Sequence, residues 1–389
     1  FTGQLTTTLS VTNAGPIILA KTSANPDADL RCFNGSTEIS CEIEFVNAGF
    51  EFFGTTTAIK TLGDQAAETN FSNVNIRAVR DDAGVCKALL KDSKDITFIY
   101  NCEGPATCLT PLAGIPLNGV PSGDQSGTLS VTFAADGTAP LSMLNYADVG
   151  RLNLTVLGEI DGVTLTSGSA TIDVYPTNLK LDVSPVSLTD SGSNFTAGKP
   201  FDFTIGAYGA MGSLLKNYQA GTLELKVQRT APTSSDADEG DFKYNVSNLM
   251  SSSLSPTFTS TASLTFSGGK YTYADAYYDE VGNIELDIRD TDYLGNVIAS
   301  QGSISLGTFI PAYFDVAVSG TPTLADTCGV FSYIGETIGF DTAPELTITA
   351  YNALAQITDN YSDSFWNYQP NESALGSNLS YIDKSSYTS

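Results

Sequence analysis

Short runs in which apolar and polar residues alternate recur along this chain, whereas apolar residues at helical spacing are scarce. Clear examples are Arg151–Leu157, Asn283–Arg289 and Phe314–Ser319, where every second residue is Leu, Ile, Val or Phe. Successive side chains of a β-strand point to opposite faces, so this pattern predicts half-buried strands. Turns rich in Gly, Asp and Asn, such as residues 135–138, separate the runs. The spacing predicts an all-β fold of immunoglobulin-like (Ig-like) β-sandwich modules rather than alternating strands and helices.

Two sequence motifs occur more than once and in the same order. The first motif reads Thr-Ile-x-Ala-Tyr-x-Ala and ends in Asn-Tyr, and it is found in Phe203–Tyr218 and Leu346–Tyr361. A weaker copy begins at Asn75. The second motif is Tyr-x-acid-Val-Gly, found in Tyr146–Gly150 and Tyr278–Gly282. Such repetition indicates tandem copies of one structural unit.

The repeats also suggest where the modules begin and end. Pro176 and Pro311, which are 135 residues apart, each lie between two strand-like runs. Proline offers no N–H group to a sheet, so it suits a linker. We predict an N-terminal extension or upstream tail at 1–41 and modules at 42–176, 177–311 and 312–389. The last module lacks the second motif, so we expect it to be incomplete and completed by a continuing polypeptide or by another chain.

Composition narrows the chemistry that this chain can perform. It has 389 residues, no histidine, and 43 acidic against 18 basic residues, for a net charge of -25. Without histidine there is no Ser-His-Asp or Cys-His pair and no His-ligated zinc or haem. The negative field repels nucleic acids, and the absence of an 18-residue apolar run argues against direct insertion into a membrane. Paired carboxylates for glycoside hydrolysis remain open in principle, but nothing selects one pair, so we predict no enzyme.

The chain has six cysteines and no Cys-x-x-Cys motif, which favours disulfides formed in an oxidising compartment. The short spacing predicts a Cys32–Cys41 disulfide. Cys328 stands alone in a distant segment. The pairing among the remaining three is left open by the spacing, and they are Cys86, Cys102 and Cys108.

Two acidic clusters are candidate calcium sites, because carboxylate oxygens are the ligands that calcium prefers. The first cluster departs from the EF-hand pattern, since its glycine comes one position early and no glutamate closes the loop. A solvated loop is the alternative at both places. The candidate ligands are Asp236, Asp238 and Asp241 in the first cluster and Asp287, Asp290 and Asp292 in the second. No other cofactor is predicted.

The tyrosines of the first motif have two interpretations. They are Tyr208, Tyr218, Tyr351 and Tyr361. An exposed row of tyrosines would suit a carbohydrate-binding platform. Their recurrence at one position of each repeat favours packing against the sandwich core instead.

Several segments together resemble the large domain of MshQ-like proteins, which are encoded with the mannose-sensitive haemagglutinin type IV pilus of marine gammaproteobacteria. The resemblance covers most of residues 30–366. The matching segments are Cys41–Phe50, Asn75–Val79, Tyr146–Gly150, Gly307–Phe314 and Cys328–Gly335, together with Cys86, Cys102 and Cys108.

This resemblance implies a secreted protein at the surface or pilus of a Gram-negative bacterium, with no catalytic residues. We therefore expect an elongated rod of tandem modules that serves as a stalk or subunit of an adhesive fibre. The expected partners are pilus or fibre components, including a second copy that exchanges strands. The alternative is a carbohydrate-binding adhesin module that contacts surface glycans directly.

Overall fold

The computed structural model describes residues 15–18, 32–34, 37–39, 41–45, 48–57, 62–82, 85–105, 110–115, 125–160, 163–165, 167–188, 194–326, 328–329, 331, 334–335, 337–362 and 365. Every regular element of these residues is a β-strand. The predicted all-β class is confirmed.

The first part of the chain forms a β-sandwich. Its strands are β1 (Gly15–Ile18), β2 (Cys32–Asn34), β3 (Thr37–Ile39), β4 (Glu42–Phe45), β5 (Ala48–Phe53), β6 (Gln65–Ala66), β7 (Asn75–Asp82), β8 (Val85–Ala88), β9 (Asp92–Gly104), β10 (Leu112–Ala113), β11 (Gln125–Phe133), β12 (Thr138–Pro140), β13 (Asn145–Tyr146), β14 (Gly150–Val156), β15 (Glu159–Ile160), β16 (Val163–Thr164) and β17 (Gly168–Tyr175). One sheet has the order β11-β9-β14-β17-β6, and the other has the order β12-β7-β5 with β8 beside β7. Four short pairs, β1–β4, β2–β3, β10–β13 and β15–β16, lie outside these sheets.

Alternate residues of these strands form the core of the first sandwich. In β14, Leu152, Leu154 and Val156 are buried while the residues between them are exposed or half-buried. Each fully buried aliphatic side chain of this kind stabilises the fold by about 1.5–3 kcal/mol. The alternation that predicted a half-buried strand at Arg151–Leu157 is thus confirmed.

A second sandwich follows. Its strands are β18 (Asn178–Ser184), β19 (Phe195–Thr196), β20 (Phe201–Tyr208), β21 (Leu223–Ala231), β22 (Asp241–Lys243), β23 (Leu249–Ser251), β24 (Thr259–Ser260), β25 (Lys270–Tyr278), β26 (Gly282–Tyr293), β27 (Asn296–Ala299) and β28 (Ile304–Ile310). One sheet has the order β18-β20-β25-β22-β23, and the other has the order β19-β28-β26-β21-β24 with β27 beside β26. Aromatic rings fill its core: Phe201 lies 5.5 Å from Phe195 and 6.4 Å from Phe309, measured between ring centroids.

The last described part contains four strands in two pairs. They are β29 (Tyr313–Ser319), β30 (Thr323–Leu324), β31 (Phe340–Thr342) and β32 (Glu345–Tyr351), paired as β29–β32 and β30–β31. The predicted strand at Phe314–Ser319 is confirmed, but its predicted half-burial is wrong. Phe314, Val316 and Val318 are 45%, 54% and 61% exposed, whereas the corresponding apolar residues of β18 are buried. In the second sandwich a facing sheet covers those residues, and the described residues after β29 include no such sheet.

The chain divides into two compact units. The first contains residues 1–177 and 208–218, and the second contains residues 178–207 and 219–389. These units group residues that lie close together, whereas the predicted modules are segments of sequence. The module boundaries therefore stay predictions.

Candidate functional site

The first repeated motif forms a loop, Tyr208–Tyr218, which we call the first loop. It belongs to the same compact unit as residues 1–177. The N–H group of Ala210 donates a hydrogen bond of 3.2 Å to the carbonyl oxygen of Ala67, directly after β6. The beginning of the first loop is thereby fixed to the first sandwich.

The end of the first loop is held by a buried carboxylate from the second motif. Asp148 is 1% exposed, and its Oδ1 accepts the N–H groups of Val149 at 2.9 Å and of Asn217 at 3.0 Å. We call this arrangement the first clamp. The same oxygen therefore organises the start of β14 and holds the loop.

The later copy of the first motif forms an equivalent loop, Tyr351–Tyr361, which we call the second loop. It lies in the second compact unit together with the second sandwich. The N–H group of Ala353 donates to the carbonyl oxygen of Ala197 at 2.8 Å, directly after β19. This contact repeats the Ala210–Ala67 contact of the first loop at the corresponding position.

Glu280 takes the place of Asp148 and holds the second loop. It is 4% exposed, and its Oε1 accepts the N–H groups of Val281 at 2.7 Å and Asn360 at 3.3 Å. Its Oε2 accepts the N–H group of Asp359 at 3.0 Å. We call this arrangement the second clamp. Two N–H groups of the second loop thus reach one buried carboxylate.

The acidic loop at 236–241 also forms hydrogen bonds with the second loop. Asn360 Oδ1 accepts the N–H group of Asp238 at 2.8 Å, and Asn360 Nδ2 donates to the carbonyl oxygen of Asp238 at 3.0 Å. Asn352 Nδ2 donates to the carbonyl oxygen of Asp279 at 2.8 Å. The second loop is therefore held through side-chain amides as well as through its backbone.

Steric constraints explain why the second motif ends in glycine. Gly150 and Gly282 have φ angles of +134° and +140°, which L-residues with a side chain rarely adopt. A Cβ atom at Gly150 would collide with the carbonyl oxygen of Gly104, and one at Gly282 would collide with that of Ala231. Glycine is thus needed beside each clamp to let two backbone segments approach.

Burial dominates the electrostatics of the clamp carboxylates. It raises the pKa of Glu280 to about 7, against the backbone N–H groups that favour the charged form. Burial likewise raises the pKa of the neighbouring Asp279 to about 6, and it raises the pKa of Asp148 above its ordinary value. Both clamps therefore hold acids that titrate at higher pH than exposed ones.

Both motifs are visible in the sequence, but the contact between a copy of the first motif and a copy of the second is not. In the sequence, Asp148 and Glu280 stand out only as the acidic position of the second motif. Glu68 was missed altogether, although its Oε2 accepts the N–H groups of Met211 at 2.7 Å and Ser213 at 3.3 Å in the first loop. The two loops have the same length in the sequence. Equivalent contacts require equal length, so this was the sequence signal that pointed to them.

The candidate calcium ligands are placed as follows. Asp290 is fully buried, and its two carboxylate oxygens accept the N–H groups of Gly221 and Thr222, both at 2.8 Å. Asp287 Oδ2 lies 3.1 Å from Lys226 Nζ. In the described part of the chain, no three Asp, Glu or Cys side chains come together as a metal-binding group. Calcium binding stays a prediction for Asp236, Asp238, Asp241, Asp287, Asp290 and Asp292.

Of the cysteines, Cys32 and Cys41 form a disulfide with a Cα–Cα distance of 5.2 Å, which confirms that prediction. Cys102 is also disulfide-bonded. Cys108 and the side chain of Cys86 lie outside the described residues, and Cys328 is free and exposed.

The motif tyrosines contact other parts of the protein. Tyr218 is fully buried. Tyr351 stacks on Tyr313 at 5.3 Å between ring centroids, and Tyr361 lies 5.1 Å from the ring of Phe314. These contacts favour the packing interpretation over a continuous glycan platform.

No helix among the described residues is long and apolar enough to cross a membrane.

Fold and repeated clamps together define a protein of tandem Ig-like β-sandwiches. Residues 29–169 match the first Ig-like domain of DUF6701, a domain of unknown function, and residues 280–388 match the third domain of DUF6701. The chain thus contains two regions that match domains of DUF6701, the first of them Ig-like. No curated protein sequence matches it significantly.

Three of the solved structures that this chain resembles have low sequence identity and low TM-scores. InvD of Yersinia pseudotuberculosis is 14% identical over 79% of this chain and 71% of its own, with a TM-score of 0.28. A tetra-tandem repeat from the extending region of a large adhesion protein is 11% identical over 80% of this chain and 72% of its own, with a TM-score of 0.34. The adhesin InvE of Yersinia pseudotuberculosis is 11% identical over 68% of this chain and 60% of its own, with a TM-score of 0.27.

Proposed function

We propose that this chain is an extracellular structural protein with an adhesive role, a stalk or an assembled subunit of a pilus or similar fibre on a Gram-negative bacterium. The observation that carries the proposal is the repetition of one loop-to-carboxylate contact at equivalent positions of successive repeats. An enzyme needs one specialised site, whereas a structural array needs the same contact again and again.

The clamps suit a structural protein, because each one fixes a loop of the first-motif type to a sandwich. A hydrogen bond to a charged group contributes about 1.5–3 kcal/mol. The carboxylate of the first clamp accepts one such bond from its loop, and that of the second clamp accepts two. A flexible linker would need no buried carboxylate and no invariant loop length. The clamp geometry therefore supports a structural role.

Other features support an extracellular and pilus-associated setting. The Cys32–Cys41 disulfide is of the kind that persists in oxidising compartments. The resemblance to MshQ-like proteins, which are encoded with a type IV pilus, supports the association with a pilus. Pilus or fibre components are the proposed partners, and the exposed apolar side chains of β29 support strand exchange with a second copy.

Immunogold electron microscopy of intact cells tests this function. An antibody raised against the full chain would be applied to the native bacterium, with a strain that lacks the gene as the control. We expect label along surface fibres or at their tips. Label that stays inside the cell contradicts the proposal.

The carbohydrate-binding alternative has one specific observation in its favour. Tyr273 and Tyr277 are both half-buried, and Lys243 Nζ lies 5.7 Å and 5.3 Å from their ring centroids. Half-exposed aromatic rings beside a cation can bind a sugar face or an acidic sugar. A glycan array probed with the full chain, with the double variant Tyr273→Ala/Tyr277→Ala as the control, should show binding that the variant loses if this alternative holds.

A further inference from the structure

Glu68 and Gly198 occupy the same position in the two sandwiches. Their φ angles are +65° and +75°, so both lie in the left-handed region. The N–H group of Glu68 donates to the carbonyl oxygen of Tyr146 at 2.9 Å, and that of Gly198 donates to Tyr278 at 2.7 Å. Left-handed backbone favours glycine, so the glutamate needs a compensating reason.

The reason lies in the first loop. Glu68 is 7% exposed, and its Oε2 accepts the N–H groups of Met211 and Ser213. The neighbouring loop residue is Gly209, and a Cβ atom there would lie 2.5 Å from the same Oε2. The glutamate therefore satisfies two loop N–H groups and leaves no room for a side chain at position 209.

In the second loop, the acceptor for the two equivalent N–H groups comes from the loop and not from the sandwich. Asn352 corresponds to Gly209, and its Oδ1 accepts the N–H groups of Leu354 at 2.9 Å and Gln356 at 3.0 Å. These two residues correspond to Met211 and Ser213. The sandwich position is Gly198, where an added Cβ atom would lie 3.1 Å from Ala353 N and from Leu354 Cγ and 3.3 Å from Asn352 Cγ. Here the loop supplies the acceptor and the sandwich supplies the space.

We propose that the pairs Glu68–Gly209 and Gly198–Asn352 form a matching code that determines which loop each sandwich accepts. Each contact needs one acceptor side chain in one shared space. Two side chains collide, and none leaves the two N–H groups of the loop without an acceptor from the protein. A loop that carries Gly fits a sandwich that carries Glu, and a loop that carries Asn fits a sandwich that carries Gly.

The code has a consequence for assembly order. An Asn-bearing loop placed on the first sandwich meets Glu68, and a Gly-bearing loop placed on the second sandwich finds no acceptor. Incorrect pairing of repeats, within one chain or between copies, is therefore disfavoured in both directions. The ligand class that each site takes is a loop of the first-motif type with the complementary residue.

A double-mutant cycle in the full chain tests the code. The variants are Glu68→Gly, Gly209→Asn and the double variant, and the readout is amide hydrogen exchange at Met211 and Ser213. We expect each single variant to lose protection by about tenfold or more and the double variant to return close to wild type. Losses that simply add in the double variant overturn the code.

Two controls keep the result interpretable. Glu68→Gln retains an acceptor oxygen and should keep the protection that Glu68→Ala loses, so the test holds even if Gly209→Asn does not fold. The reciprocal pair Gly198→Glu and Asn352→Gly should behave in the same way at Leu354 and Gln356. These measurements use the isolated protein, so their outcome does not depend on whether the protein lies on the cell surface.

Discussion

The two clamps differ by one methylene group, and that difference changes how much of each loop is held. Asp148 accepts one N–H group from its loop, and its Oδ2 has no hydrogen-bond partner although it is buried. The side chain of Asn217 lies against Tyr146, whose pKa burial raises to about 12. In the second clamp Glu280 uses both oxygens, and Asn360 uses both ends of its amide.

The comparison shows that the reach of the carboxylate decides how completely the loop's polar groups are satisfied. A buried polar atom without a partner costs free energy that a direct hydrogen bond would avoid. We therefore expect the second clamp to be the tighter of the two.

Removing the two carboxylates gives the largest expected effect. Glu280→Ala leaves three N–H groups without an acceptor and should lower the free energy of unfolding by about 3 kcal/mol. Asp148→Ala leaves two and should cost about 2 kcal/mol. Chemical denaturation of the full chain measures both, and Glu239→Ala, at an exposed position, is the control. A larger loss for Asp148→Ala would reverse the proposed order.

The second expected effect is a dependence on pH. The folded pKa of Glu280 is raised from 4.5 to about 7, so the folded state binds the proton more tightly than the unfolded chain. The contribution of Glu280 to stability is therefore fully present below pH 4.5 and is lost as the pH rises through about 7. We expect the free energy of unfolding to fall by about 1–2 kcal/mol between pH 5 and pH 8.

Glu280→Gln is the matched test of that dependence, because it removes the titration and keeps most of the shape. Denaturation curves of both proteins at several pH values should show a smaller fall in the variant. An unchanged fall would assign the dependence to other groups, of which Asp279, with a pKa of about 6, is the first to examine.

Sequence patterns revealed much of this fold, because alternation and repetition report local geometry. The alternation in β14 and β26 predicted their buried faces, and the Val-Gly motif recurs because Gly150 and Gly282 share one strained backbone conformation. Alternation cannot report whether anything covers a face, which is why β29 was expected to be half-buried and is exposed.

The loop contacts escaped sequence analysis for a different physical reason. A repeated motif marks a position, but it does not name the partner that the position contacts across the fold. Glu68 was especially hard to find because its counterpart is Gly198, and nothing in the two side chains is alike. The common requirement is one acceptor for two N–H groups, and either side of the contact can provide it.

The smallest expected effect comes from lengthening the shorter acid. Asp148→Glu adds the methylene group that distinguishes the two clamps, and it should let the second carboxylate oxygen reach the N–H groups at the end of the first loop. We expect amide exchange at Asn217 to slow by a few-fold, which brings it closer to that of Asn360, because one further hydrogen bond contributes about 1 kcal/mol. Glu280→Asp is the matched reverse variant and should speed exchange at Asn360. Faster exchange at Asn217 in Asp148→Glu would mean that the added methylene overpacks the first clamp, and that the space around the carboxylate, not its reach, limits how tightly the loop is held.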